Sequence, residues 1–247
     1  MLQFIPVLLL MAVFSFVLIH YSPGSPFSQD KLISAETLEK LKVEYGFEKP
    51  LYIQLLKYLG NLCRGYLGRS TKYMNLTVNE IIRQSFPVSA VLGIFALWLA
   101  VIFGVFFGVI AALKKNSAAD HLTMFFSIIG ISIPNFVIAS LLLIIFSFML
   151  KLVPVAGWGE LKNIILPGIT LALPYIAYIS RIMRASMLEV LTQDYIRTAR
   201  AKGVGTFKIL FEHALKNGVT PVISFLAPAA SFILTGSVVV EKIFAIP

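Results

Sequence analysis

Four stretches of this chain contain no aspartate, glutamate, lysine or arginine: residues 88–113, 122–150, 164–180 and 218–240. Backbone surrounded by such side chains has no water to bond, so each N–H and C=O must be satisfied within the segment. That restricts the stretches to helices in a bilayer, where one span takes roughly 20 apolar residues. A fifth apolar stretch, residues 4–20, precedes them. No lysine or arginine comes before it and no small-residue cleavage site follows, so it reads as a span rather than a cleaved leader. The fold expected is an all-α polytopic membrane protein with five spans. Composition agrees, at 58% hydrophobic and 13% charged, against roughly 25% charged in soluble domains.

Charge between the spans sets orientation. The loops 114–121 and 184–216 are both basic and two spans apart, so both are expected in the cytoplasm. The N-terminus is then inside and residues 21–87 outside. That long segment carries nine basic and six acidic residues, but long loops cross regardless of charge. Three regions follow: a first span over 1–20, an extracytoplasmic helical subdomain over 21–87, and a membrane core over 88–247. Within the subdomain, AETLEKLKVEYGF and PLYIQLLKYLGNL have helical spacing. Retained cytoplasmic basic residues also account for the net charge of +9, so no nucleic-acid partner is expected.

Small residues mark the second span. Ala96, Ala100, Gly104, Gly108 and Ala112 recur every fourth position, and such a ridge lets helix backbones approach closely. Helix packing is the expected role, with pore lining as the alternative. In the third span Pro134 removes a backbone hydrogen bond and predicts a kink. Ser132 and Asn135 beside it either line a solute path or satisfy the freed backbone groups. Ser231 and Thr235 offer the same choice in the fifth span. Trp158 and Tyr175 are candidate interface anchors.

Nothing in the chain assembles into a catalytic or metal centre. Cys63 is the single cysteine, the three histidines are far apart, and no nucleotide-binding or nucleophile motif occurs. Uncharged spans also lack the ionisable groups that ion-coupled transporters place in the membrane. An intramembrane enzyme and a passive channel or secondary transporter are therefore the weaker alternatives to a transport subunit powered from outside itself.

The loop 184–216 is longer than a connection needs. Ser186–Ala201 reads as one amphipathic helix, stopped by Gly203 and Gly205, with Thr206 capping a second helix to about Lys216. Such an element either lies on anionic lipid or docks a soluble partner. Its YIRTARAKG followed by FEHALKN resembles the cytoplasmic EAA loop of ABC importer permeases in their peptide/nickel form. SPGSPF, VNEIIRQSFPVSA, SIPNFV, ILPGITLALPYIA and GSVVVEKIFAIP, in that order, resemble the B-type membrane subunit of oligopeptide permeases.

The resemblance implies a type I ABC importer fold in the bacterial cytoplasmic membrane. It also implies three kinds of partner besides lipid: a second, homologous permease, two ATPase subunits and an external binding protein. ATP and Mg would sit on the ATPase subunits, leaving this chain without a cofactor or an ATPase site of its own. The resemblance places Arg197, Thr198 and Ala199 at the EAA positions, with Arg197 where the family has its glutamate. Gly203 is the glycine that follows, and Arg197, Thr198, Ala199, Arg200, Ala201, Lys202 and Gly203 form the expected contact with an ATPase subunit. Oligopeptides are the expected cargo, with dipeptides, nickel or another small solute as alternatives. The family has six spans, so a chain ending at Pro247 with five is expected to be truncated there, and shortened before the first span.

Overall fold

A computed structural model describes residues 4–21, 49–70, 73 and 76–246. The chain forms two compact units, Met1–Gln84 and Ser85–Pro247. In the first, α1 (Phe4–Tyr21) and α2 (Leu51–Cys63) meet where the rings of Phe16 and Tyr58 lie 5.7 Å apart. The helical pattern AETLEKLKVEYGF and the SPGSPF turn lie outside the described residues.

The helix α3 (Val78–Leu113) begins ten residues before the apolar stretch it contains. Its start is fixed by a reciprocal cap. The Glu80 carboxylate accepts from the Thr77 N–H at 2.7 Å, and the Thr77 hydroxyl accepts from the Glu80 N–H at 3.2 Å. Two otherwise orphaned donors are satisfied at once. The helix passes through Pro87 without ending.

Beyond α3 lie α4 (Ala118–Ser132), α5 (Asn135–Met149), α6 (Leu161–Val190), α7 (Asp194–Ala201), α8 (Thr206–Gly218), α9 (Thr220–Leu234) and α10 (Val238–Ile243). The stretch 122–150 is sharply broken at Pro134. Its halves, α4 and α5, diverge by 106°, because Ile133 and Pro134 are both extended (ψ 126° and 142°). Proline disfavours the helical region for the residue before it and has no N–H to bond back. The stretch 218–240 is interrupted too. It bends by 47° between α8 and α9, and breaks at Gly236 (φ +84°) before α10. The fourth stretch is longer than its apolar part, since α6 runs ten residues past Ser180. Among the described residues two helices are long and apolar enough to cross a membrane, or four if each bent pair is one span.

The helix α6 is the centre of the second unit. Leu171, Ala172, Ala177, Ile179, Met183 and Met187 on it are all buried, and α4, α5, α8, α9 and α10 pack around it. The ridge of α3 also faces α6. A Cβ at Gly104 would stand 2.6 Å from that of Ile179, and one at Gly108 would stand 2.6 Å from that of Met183. Ala96, Ala100 and Ala112 are buried along the same face, while Ile94, Trp98 and Phe106 project from the others. Small residues inward and large apolar ones outward is the pattern of a helix packed in lipid, where close backbone contact replaces the hydrophobic drive.

Candidate functional site

The helix expected over Ser186–Ala201 is two helices. α6 ends at Val190, a turn closes with Thr192 N–H to Glu189 O and Gln193 N–H to Val190 O, and α7 restarts at Asp194. The new helix is strongly two-sided. Ile196 is fully buried and Ala199 half-buried, while Asp194, Arg197, Thr198, Arg200, Ala201 and Lys202 are exposed. Tyr195 accepts a hydrogen bond from the Asn217 amide at 2.9 Å, tying α7 to α8.

The end of α7 is built locally. Gly203 has φ +77°, a conformation that costs an L-residue with a Cβ about 1–2 kcal/mol. Its N–H donates to Arg200 O at 2.9 Å, and that of Val204 to Ala199 O at 3.1 Å. These are the two bonds of a Schellman cap, and Ala199 and Val204 both pack against the core. Gly203 itself is exposed. The cap therefore leaves Arg197, Arg200 and Lys202 exposed on a short element among the described residues. Arg197 contacts Asp194 at 3.5 Å, with both side chains well exposed, a pairing of little energetic weight. Phe207 and Phe211 add an exposed ring pair, 4.5 Å between centroids.

The four candidate lining residues are not brought together. Asn135 lines a cavity of about 380 Å³, walled by Pro134, Pro174, Tyr175, Tyr178, Phe225 and Phe232. Ser132, Ser231 and Thr235 are exposed and do not line it. The Ser231 and Thr235 hydroxyls donate to helix carbonyls, Ala227 O at 3.2 Å and Ser231 O at 2.6 Å. Tyr175 lies against Phe225 in that cavity, ring centroids 6.5 Å apart, and Trp158 packs against the core. Among the described residues no three His, Cys, Asp or Glu side chains are grouped to hold a metal ion.

One feature absent from the sequence reading is a buried ion pair at the foot of the 184–216 region. Arg184 on α6 grips Asp120 on α4 with two N–H groups, Nη2 to Oδ2 at 2.7 Å and Nε to Oδ1. The Asp120 side chain is 2% exposed and that of Arg184 24%. The Asn116 N–H also donates to Asp120 at 2.9 Å, from a residue with φ +62°. One signal was available. Asp120 is the only acidic residue between Glu80 and Glu160, and a carboxylate at the edge of an apolar stretch requires a cation.

Residues 104–247 match the family described as "Binding-protein-dependent transport system inner membrane component". The chain is 46% identical over 248 residues to the oligopeptide transport system permease protein OppB of Salmonella typhimurium, covering all of this chain and 81% of that protein. It is 44% identical over 240 residues to the dipeptide transport system permease protein DppB of Bacillus subtilis, covering 97% of this chain and 78% of the relative. The Haemophilus influenzae OppB is 42% identical over 249 residues, again with the whole chain and 81% of the relative covered.

Proposed function

The chain belongs to the family of binding-protein-dependent transport system inner membrane components, and on that basis we propose that it is a permease subunit of an ATP-driven importer of oligopeptides. It forms half of a type I pathway across the bacterial cytoplasmic membrane, with the N-terminus and residues 184–216 on the cytoplasmic side. A second permease completes the pathway. Two ATPase subunits carry ATP and Mg, and an external binding protein delivers the cargo. The cargo assignment draws on the relatives' names, and their division between oligopeptide and dipeptide permeases leaves peptide length as the alternative within it.

The observation that carries this reading is α7 with its cap. A short helix held by a buried Ile196 and a Schellman turn, with Arg197, Arg200 and Lys202 outward, suits insertion into a groove of an acidic or polar partner. Arg197–Gly203 are accordingly the contact with an ATPase subunit. Gly203→Trp places a large ring where Gly203 now leaves open space. It is expected to lower peptide uptake by about tenfold or more, the equivalent of ~1.4 kcal/mol of lost contact. Uptake of labelled peptide by cells carrying the variant, with co-purification of the ATPase subunit from detergent, makes the test. Undiminished uptake, or a parent complex that never retains an ATPase subunit, sinks the assignment.

A further inference from the structure

The buried pair at the foot of the coupling element stands at one end of a continuous strut. Arg184 lies six residues before the end of α6, where the chain turns into α7. Asp120 lies in the first turn of α4. From there α4 runs back along α6 in close contact. The Ser127 and Ser180 hydroxyls bond at 2.8 Å, and a Cβ at Gly130 would stand 3.2 Å from that of Ala177. The strut is 15 residues, about 22 Å, and ends at the Ile133–Pro134 break, beyond which Asn135 lines the cavity.

Apolar contacts along such a helix pair allow small sliding, whereas a two-pronged arginine–carboxylate pair fixes register and direction. We propose that Asp120 and Arg184 are positioning residues of the transport cycle, clamping α4 to the stem of the coupling element so that displacement at 194–203 reaches the Pro134–Asn135 break. This rests on the coupling role proposed above. The clamp joins two elements that the sequence separates by 64 positions. It does so at the one end of α4 nearest the coupling element, and the other end borders the cavity.

The test uses the assembled transporter with its partner permease and ATPase subunits in lipid. Ser132 is exposed next to the break, so Ser132→Cys in a Cys63→Ser background reports there through its rate of labelling by a water-soluble maleimide. Trapping with ATP and vanadate is expected to change that rate about fivefold or more, the lower end of ordinary coupling between sites. Asp120→Asn keeps an acceptor for Arg184 and Asn116 but removes the charge. It is expected to retain the ATPase subunit and hydrolyse ATP while the labelling rate no longer responds. The exchanged pair Asp120→Arg with Arg184→Asp is expected to regain the response. The clamp is overturned if Asp120→Asn responds as the parent does, or if the exchange fails to restore the response. It is equally overturned if ATPase retention and response fall together in Asp120→Asn, which marks the pair as holding the fold alone. Failure of the coupling role shows separately, as a parent complex without a retained ATPase subunit, and removes the basis of the clamp with it.

Discussion

Gly104 and Gly108 on α3 and Gly203 and Gly205 beside α7 are the same residue type under opposite constraints. At the first pair there is no room. A Cβ on Gly108 would lie 2.6 Å from the Met183 Cβ and 2.7 Å from the Ser180 carbonyl oxygen. At the second pair a Cβ would meet nothing within 4 Å. Gly203 is required by its φ of +77°, and Gly205, at φ −62° and ψ 148°, by neither space nor dihedral. The α3–α6 contact is therefore limited by tertiary space, and the 194–208 element by local backbone geometry. A region shaped locally can keep its outer face free for a partner. A region shaped by close approach cannot, because its small residues are already buried against another helix.

Substitution by alanine separates the three cases in order of size. Gly108→Ala drives a methyl into a backbone carbonyl that cannot move aside, and is expected to destabilise by about 1–3 kcal/mol. Thermal unfolding of the detergent-solubilised protein reads this, and an unchanged midpoint would break the close-approach side of the comparison. Gly203→Ala is expected to cost about 1–2 kcal/mol, confined to the α7 cap. Hydrogen–deuterium exchange would show faster exchange at 202–204 with the α6 core unaltered; a core that loosens equally would mean the element is not locally built. Gly205 is the N-cap of α8 with no side-chain cap bond, so Gly205→Ala is expected to cost only about 0.5 kcal/mol, the weaker cap propensity of alanine. Thermal unfolding of the detergent-solubilised protein reads this too, and a loss as large as that of Gly203→Ala would break the ranking.

Much of this was legible because it is written in short-range pattern. The uncharged stretches specify helices in lipid wherever they sit in the fold. The Gly203 stop needs only the cap geometry of its neighbours, and SIPNF needs only proline sterics to announce a break. Other features were misjudged for equally physical reasons. Ser186–Ala201 keeps an amphipathic pattern through the turn at 191–193, so periodicity alone joins α6 to α7. The T-x-x-E cap at Thr77–Glu80 extends α3 ten residues beyond its apolar part, because helix and membrane span need not share ends. The kink at Pro134 was foreseeable but its 106° was not, since its size depends on where α5 finds packing against α6 and α10.

The sequence by itself determined the solvent of this chain, the helical nature of its spans, the small-residue face of α3 and the glycine-stopped cationic segment at 197–203. Each depends on residues within a few turns of one another. Only the tertiary structure decided which helix the α3 ridge meets and that Tyr175 faces a cavity. It alone joined Asp120 to Arg184 across 64 positions. Those outcomes are choices of partner. A glycine ridge fits any close-packed helix and a lone carboxylate any cation, so the pairing is fixed only when the whole set of helices has packed at once.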